Sequence, residues 1–344
     1  MRALSSKRQR PTQADVAREA GVSQTAVSAV LRGTNSVVIA PETRQRILDA
    51  AEKLSYRPNT AAQSLRSSKM LTVACVIPDI TNPFYPAFQR GAQDVANQHE
   101  YDFVVYNTDG VRARELRCLD AIRKGRVDGV IIAPFQLYTE DLAPLVELGV
   151  PIVVFGQLDN EPDAVPFDSI FVDNAAAADA LVTHLVEQGH TRIGMITGPT
   201  GITRREGRVR GFHAVVTRHG LASIDTLLRG GDFTEVGGYQ AMQQLLTLQP
   251  RPTAVFAAND LMAIGALNAT RDAGLTVPGD LAVAGFDDIP VARMIHPSLT
   301  TVAQFPEPIG RRAGELLFDR LLGGVQGQGR REEMPYMVVV RSSA

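Results

Sequence analysis

The chain has 344 residues, of which 44% are hydrophobic and 21% charged, and it contains no tryptophan. This composition excludes a largely disordered, collagen-like or coiled-coil chain, and the length exceeds the roughly 250–300 residues that one hydrophobic core usually serves. The net charge of −2 hides an asymmetry, since residues 1–70 carry 12 Lys and Arg against five Asp and Glu. A segment of net charge +7 before a remainder of −9 indicates a nucleic-acid-binding module joined to another domain.

The cysteine pattern and the N-terminus bear on the compartment. Cys75 and Cys118 are 43 positions apart and belong to no CxxC or Cys/His cluster, so we expect two reduced thiols, no disulfide and no metal site. The basic start MRALSSKRQRPT is followed by no apolar segment, and no apolar run approaches the roughly 18 residues of a spanning helix. We therefore expect a soluble cytoplasmic protein that does not enter a membrane.

Only helical patterns occur between the basic residues 1–11 and Pro58. Thr12 and Asp15 form a helix start signal, and Gly21 opens a tight turn. Pro41 suits the first position of a further helix. The predicted helices cover residues 12–20, 24–31 and 42–54.

The first two helices have the spacing of a helix-turn-helix, in which Ala17 lets the helices approach, Gly21 permits the turn and Val27 locks the second helix onto the first. On the second helix, Val27, Val30 and Leu31 form a stripe expected to be buried. Short polar side chains on its other face could reach base edges in a major groove; those expected there are Gln24, Thr25 and Ser28, together with Ala29. The alternative is a helical pair with a solvated polar face, although the surrounding arginines favour phosphate contacts.

The segment NTAAQSLRSS after Pro58 carries an apolar strip of Ala61, Ala62 and Leu65. A helix this short is marginal in water, so in the free protein we expect a flexible linker. On DNA the segment could fold, with Leu65 inserted as an apolar wedge into the minor groove.

From Leu71 onward, short β-rich runs alternate with helical stretches. The runs are LTVACVIP, DFVVYNT, DGVIIAP, PIVVF, SIFVD, RIGMITG, TAVFAAN and LAVAGFD. Most are nearly continuous apolar runs, which is typical of parallel strands covered by helices on both faces. The sequence predicts a doubly wound α/β core of two lobes, an exposed loop over 323–333 and a last strand from Tyr336 to Val340.

Several ordered segments resemble the lactose-repressor/galactose-repressor family of bacterial regulators. They are TQADVAREAGVSQTAVSAVL, APETRQRILDAAEKLSYRPNTAAQSLR, TVACVIPDITNPFY, VDGVIIAP, VDNAAAADALVTHLVEQGH, RVRGF, PTAVFAANDLMAIGAL, VAGFDDIP and LTTVAQ. The resemblance covers nearly the whole chain from Thr12.

This resemblance implies an all-α helix-turn-helix headpiece and an α/β core similar to type 1 periplasmic sugar-binding proteins. It implies a basic arm over 1–11, a DNA-binding domain over 12–57, a hinge helix or linker over 58–70 and an effector-binding, dimerisation core over 71–344. The N-lobe would comprise about 71–171 and 303–333, and the C-lobe about 172–302 and 334–344. The three crossovers would fall near Val172, Val302 and Met334.

The resemblance also implies a homodimer that places two headpieces on a pseudo-palindromic operator in double-stranded DNA. Without a C-terminal heptad segment we expect no larger assembly. The residues expected to bind DNA are Thr12, Ser23, Gln24, Thr25, Ser28, Ala29, Arg32, Tyr56, Asn59, Ala62 and Leu65. Ala29 departs from the family, which often has arginine or another large side chain there, so a thymine-methyl contact is the most it could make.

An effector cleft is expected beyond the carboxyl ends of the strands. Polar residues at such ends are Asp79, Asp173-Asn174, Asn259-Asp260 and Asp287-Asp288, each of which could instead be a helix cap or turn residue. The resemblance assigns effector binding to Phe84, Tyr85, Phe88, Asp173, Arg208, Phe233, Asn259, Asp287 and Gln304. Two departures are Ala177 in place of the usual glycine and Phe155-Gly156-Gln157 in place of an acidic-Arg pair.

The predicted function is a transcriptional regulator, most simply a repressor, whose operator affinity changes when a mono- or disaccharide binds. Carboxylates, amides and an arginine suit vicinal hydroxyls, and an aromatic face suits the C–H surface of a sugar ring. The alternatives are a purine or nucleoside effector, a corepressor and, more remotely, a sugar-binding protein that does not bind DNA. No GxSxG, P-loop, HExxH or strand-linked GxGxxG pattern occurs, so we expect neither an enzyme nor a cofactor.

Overall fold

The computed structural model describes residues 11–32, 39–57, 69–158, 165–199, 203–221 and 226–344. Its contacts divide the chain into two compact units, Met1–Met70 and Leu71–Ala344. Of the predicted DNA-binding residues, Asn59, Ala62 and Leu65 lie outside the described residues, as does the side chain of Arg32.

The secondary structure described in the first unit is helical. Its helices are α1 (Gln13–Ala20), α2 (Gln24–Arg32) and α3 (Pro41–Lys53). Thr12 caps α1, because its side chain accepts from the backbone N–H of Asp15 while the Asp15 carboxylate accepts from that of Thr12. Gly21 ends α1 in the left-handed conformation, with φ of 65°. Val16, Val27 and Ile47 are fully buried and join the three helices into one small core, which confirms the predicted helices.

The second unit begins with a six-stranded parallel sheet in the order β11-β5-β4-β3-β1-β2. Its strands are β1 (Thr72–Ile77), β2 (Asp102–Asn107), β3 (Gly129–Ile132), β4 (Ile152–Phe155), β5 (Asp168–Phe171) and β11 (Arg331–Glu333). The helices beside it are α4 (Phe84–Gln98), α5 (Arg112–Arg123), α6 (Thr139–Glu147) and α11 (Pro306–Leu321). Apolar clusters fill both faces of the sheet.

A second parallel sheet has the order β7-β6-β8-β9. Its strands are β6 (Ile193–Thr197), β7 (Leu228–Gly230), β8 (Ala254–Ala257) and β9 (Ala282–Ala284). The helices of this lobe are α7 (Asn174–Glu187), α8 (Thr203–Arg218), α9 (Glu235–Leu246) and α10 (Asp260–Asp272), followed by a 3₁₀ turn (Pro290–Arg293). They pack in the pairs α7–α8 and α9–α10, and Ala177 is buried in the core of this lobe.

The chain passes between the two lobes more than once. It leaves the first sheet after β5, returns to it with α11 and β11, and leaves again before β12 (Met337–Val339). β12 pairs antiparallel with β10 (Thr301–Ala303). The α/β architecture with parallel sheets is as predicted.

One local prediction was wrong. Residues 331–333, expected within an exposed loop, form β11, because they pair in parallel with residues 169–171 of β5. β2 is the edge strand of its sheet, and its Val104 and Val105 are exposed. Both features depend on strand order, which a local apolar pattern does not specify.

Candidate ligand cleft and nucleic-acid interface

The surface around the start of α2 presents short polar side chains to solvent. Ser23, Gln24 and Thr25 are exposed, and the Ser23 hydroxyl accepts from the backbone N–H of Ala26. Tyr56 is half-buried. Exposed polar groups at a helix N-terminus match the geometry with which helix-turn-helix proteins reach base edges.

Ser28 and Ala29 differ from this expectation. The sequence placed them on the same open face as Gln24 and Thr25, but they are only 8% and 6% exposed. Their side chains extend little beyond the helix backbone, so the surrounding residues cover them. The N-terminal turn of α2, rather than its middle, is therefore the accessible part of the predicted interface.

Exposed arginines add positive charge to the same unit. The side chains of Arg18, Arg44, Arg46 and Arg57 are all exposed, and Nη1 of Arg18 lies 3.1 Å from Oδ1 of Asp15. Such arginines can neutralise phosphates without reading sequence.

The second unit contains a cleft of about 400 Å³ between its two lobes. It is lined by residues that follow the carboxyl ends of strands in both sheets, as expected for parallel α/β folds. The structure brings together eight of the nine predicted effector residues there: Phe84, Tyr85, Asp173, Arg208, Phe233, Asn259, Asp287 and Gln304.

Phe88 is the exception. It is fully buried, and its ring packs 5.0 Å from that of Phe155. Phe88 follows Phe84 by one turn of α4, which carries its side chain behind the cleft wall and into the core between helix and sheet. The prediction that Phe88 lines the cleft was wrong.

Arg208 is the centre of the polar wall. Its guanidinium is nearly fully buried; Nε donates to Oδ1 of Asn174 at 2.8 Å, Nη1 donates to the carbonyl of Ala258, and Nη2 lies 3.5 Å from Oδ1 of Asp287. The guanidinium also lies 3.8 Å from the centroid of the Phe286 ring. These contacts hold a buried cation in one orientation at the cleft surface.

The carboxylate of Asp287 faces Arg208 and also accepts a 2.6 Å hydrogen bond from Nε2 of Gln304. The Asp287 backbone has a φ of 118°, which a non-glycine residue rarely adopts. Behind it, Asp260 accepts from the hydroxyl of Thr301 at 2.6 Å and from the backbone N–H of Ile289 at 2.8 Å. Burial, followed by the nearby charge of Asp287, raises the pKa of Asp260 to about 7.

Asp173 and Asn259 both line the cleft and cap helices. Asp173 accepts from the backbone N–H groups of Ala175 and Ala176 at the start of α7. Asn259 accepts from that of Met262 at the start of α10 and donates through Nδ2 to the carbonyl of Phe233. Both residues therefore cap helices, as the sequence allowed, and both also line the cleft.

The opposite wall is aromatic. The ring of Phe84 lies 5.4 Å from Tyr85 and 5.6 Å from Phe155, and the latter pair is nearly parallel. Further lining residues that the sequence did not single out for binding are Asp109, Phe135, Gln136, Tyr138, Gln157 and Asp232. The signal for Phe135 and Gln157 was available, because both follow apolar strand runs at their carboxyl ends.

In the described part of the chain, no group of three or more potential metal ligands is found. Among the same residues, no helix combines the length and apolar character needed to cross a bilayer.

Comparison with known proteins identifies both parts of the chain. Residues 12–59 match the family described as bacterial regulatory proteins, lacI family, and residues 182–344 match the periplasmic binding protein-like domain. Catabolite control protein A of Priestia megaterium is 36% identical over 304 residues, which cover 88% of this chain and 90% of that protein.

Solved structures give the same result. A cellobiose complex of the transcriptional regulator CelR is 32% identical, with a TM-score of 0.73 over 97% of this chain and all of that one. The lac repressor dimer bound to operator and the anti-inducer ONPF is 28% identical, with a TM-score of 0.83 over 97% of this chain and 99% of that one.

Proposed function

The chain belongs to the lacI family of bacterial regulatory proteins, and we propose that it is a cytoplasmic repressor whose affinity for DNA changes when a sugar binds in the cleft. Family membership makes it a DNA-binding transcriptional regulator rather than an enzyme. Beyond family membership, we propose that the effector is a sugar, that the protein represses transcription and that it binds a specific operator.

The observation that carries the proposal is the pairing of a polar wall with an aromatic wall. Arg208, Asp287 and Gln304 offer donors and acceptors for vicinal hydroxyls, while Phe84 and Phe155 offer flat apolar surface. This combination is how proteins hold sugar rings. The cellobiose complex of a 32% identical regulator supports the same ligand class.

We further propose a homodimer on a pseudo-palindromic operator. The lac repressor structure is a dimer bound to operator, and a two-fold dimer reads two half-sites about one helical turn, or a multiple of it, apart. Gln24 and Thr25 would contact bases, the exposed arginines would contact phosphates, and Leu65 would act as the minor-groove wedge.

The test combines a mobility shift with a ligand screen. The purified protein is incubated with DNA from upstream of its own gene at two salt concentrations, then screened for thermal stabilisation by mono- and disaccharides. A sugar at a hundredfold excess over its Kd stabilises by about 2.7 kcal/mol. A stabilising sugar should also weaken the specific complex.

Two other outcomes would change the proposal. Stabilisation by nucleosides or purines and not by sugars would move the effector to the other class that suits an aromatic wall beside Asp and Arg. A ligand that strengthens the DNA complex would make the protein corepressor-dependent. Absence of any specific, salt-sensitive complex under all these conditions would contradict the proposed operator in this upstream region.

A further inference from the structure

Two aromatic side chains from different lobes meet at the mouth of the cleft. Phe135 follows β3 and Phe233 precedes α9, and their ring centroids are 6.2 Å apart with planes at 77°. Both side chains are partly exposed, whereas Arg208, Asn259 and Gln304 on the cleft floor are buried. The ring pair is therefore a more exposed part of the cleft lining than the polar floor.

Phe135 is held by groups beneath its loop. The fully buried carboxylate of Glu115 accepts from the backbone N–H of Phe135 at 2.7 Å and from that of Gln136 at 2.9 Å. Arg112 donates to the Gln136 carbonyl and forms two 2.8 Å hydrogen bonds to Asp141. The ring is thus presented by a braced loop.

Phe233 is held in an unusual backbone conformation. Its φ is 69°, which is costly for a non-glycine residue. The Asp232 side chain accepts from the backbone N–H of Thr234, and Nδ2 of Asn259 donates to the Phe233 carbonyl. A Cβ at Gly198 would overlap the Phe233 ring, so the ring occupies space that only glycine leaves open. A strained residue that its neighbours hold in place on both sides often has a functional role.

We propose that Phe135 and Phe233 form an aromatic gate that selects ligands by size. The gate closes over a compact single-ring ligand, and it disfavours ligands that project between the lobes, because these must break the ring contact. The cavity of about 400 Å³ lies near the lower end of the range for small-molecule pockets, about 300–1,000 Å³. This inference rests on the proposed function, since it names the ligand class of the same cleft.

The contact between the two rings should have a measurable effect on ligand binding. Aromatic pairs of this geometry change an equilibrium by about two- to tenfold beyond simple burial. Because Asn259 lies on the cleft floor and donates to the Phe233 carbonyl, a ligand that contacts Asn259 also contacts the support of the gate.

The first test needs no ligand. Since the chain has no tryptophan, Phe135→Trp introduces a single one. A bimane fluorophore is attached to Phe233→Cys in a Cys118→Ser background, and the tryptophan quenches its fluorescence if the side chains at positions 135 and 233 meet. The matched control carries bimane on Glu187→Cys, at the exposed end of α7. Strong quenching at position 233 with little at 187 supports the gate, and equal fluorescence at both positions overturns it.

The second test compares ribose and glucose with cellobiose and maltose. The ratio of single-ring to two-ring Kd values is measured by calorimetry for the wild type, Phe135→Ala and the exposed control Leu148→Ala. We expect the wild type and Leu148→Ala to favour single-ring sugars, and Phe135→Ala to shift the ratio at least about threefold toward two-ring sugars. An unchanged ratio in Phe135→Ala contradicts the selection by size. So does tight binding of cellobiose to the wild type when the bimane fluorescence shows that the two rings meet.

The two tests separate failure of the gate from failure of the proposed effector class. If none of the four sugars binds the wild type, the sugar proposal loses its support and so does size selection among sugars. The bimane measurement in ligand-free protein still decides whether the ring contact exists.

Discussion

Nη2 of Arg208 lies 3.5 Å from Oδ1 of Asp287, and that same oxygen accepts a 2.6 Å hydrogen bond from Gln304. Both charged side chains are nearly fully buried. A buried ion pair adds little stability by itself, but its two partners depend on each other strongly. The arrangement therefore suits a binding site, where pre-oriented groups need no rearrangement when a ligand arrives.

Replacing Arg208 should weaken ligand binding, and it should also destabilise the fold, because it removes one member of a buried ion pair. Arg208→Gln loses charge-assisted hydrogen bonds to a ligand, each worth about 1.5–3 kcal/mol, so we expect about 10- to 150-fold weaker binding of the sugar that stabilises the wild type. Calorimetric titration measures this. Arg218→Gln on the same helix is the control, because Arg218 forms an exposed ion pair with Asp179; equal losses in both variants would contradict the role of Arg208.

Asp260 should make stability fall as the pH rises. Its folded pKa is about 7 against an ordinary value of 3.8, so between these pH values the folded protein keeps a proton that the unfolded chain releases. Stability then falls by up to about 1.4 kcal/mol per pH unit, and the decline ends above about pH 7. In Asp260→Asn, the free energy of unfolding measured with denaturant should lack this fall between about pH 4 and 7.

The exposed Asp272 on the same helix provides the control for Asp260. Asp272→Asn should give the same dependence on pH as the wild type. If the curve of Asp260→Asn also runs parallel to that of the wild type from pH 4 to 7, the raised pKa is not present in the protein.

Structural features that depend on neighbouring residues in the sequence could be predicted, whereas those that depend on distant pairing could not. The headpiece helices follow from local signals: the Thr12–Asp15 cap, the left-handed Gly21 and the spacing of buried residues such as Val27. Among the parallel strands from β1 to β9, β7 was not predicted, and the others were recognisable as short apolar runs. β11 was not, because its three polar residues become a strand only by pairing with β5 about 160 positions earlier.

The cleft shows the same division. A family resemblance located Arg208, Asp287 and Gln304, whose positions follow from strand ends and motif. It could not separate Phe84, which lines the cleft, from Phe88, one helical turn later and fully buried. Nor could it pair Phe135 with Phe233, since a contact between lobes depends on how the lobes are arranged.

Asp168 should anchor β11 to the rest of its sheet. It is fully buried and accepts hydrogen bonds from Arg320 at 2.7 and 2.9 Å and from the side chain and backbone of Arg330. Removing one partner of a buried ion pair costs about 3–5 kcal/mol, so Asp168→Asn should unfold at clearly lower denaturant. Asp179→Asn, which breaks a more exposed pair with Arg218, should cost under about 1 kcal/mol.

The Asp168 carboxylate should also make part of the free energy of unfolding sensitive to acid. Burial raises the pKa of Asp168, but the hydrogen bonds from Arg320 and Arg330 outweigh it, so the folded pKa lies below 3.8. A lowered folded pKa contributes stability above the unfolded pKa, and this contribution is lost as the pH falls below about 4. Wild type should therefore lose more stability on acidification than Asp168→Asn; equal losses would contradict the ion-pair network.

Gln24 should carry sequence recognition at the headpiece. It is exposed in the first turn of α2, where a glutamine can form two hydrogen bonds to an adenine in the major groove. Losing such a contact costs about 1–3 kcal/mol, so Gln24→Ala should weaken specific operator binding about 5- to 150-fold and leave non-specific binding and its salt dependence unchanged. The exposed Gln45 on α3, which donates to Asp49, supplies the control Gln45→Ala. Fluorescence anisotropy with operator and scrambled duplexes at two salt concentrations distinguishes the cases, and a parallel loss on both duplexes would show that Gln24 contacts the backbone rather than a base.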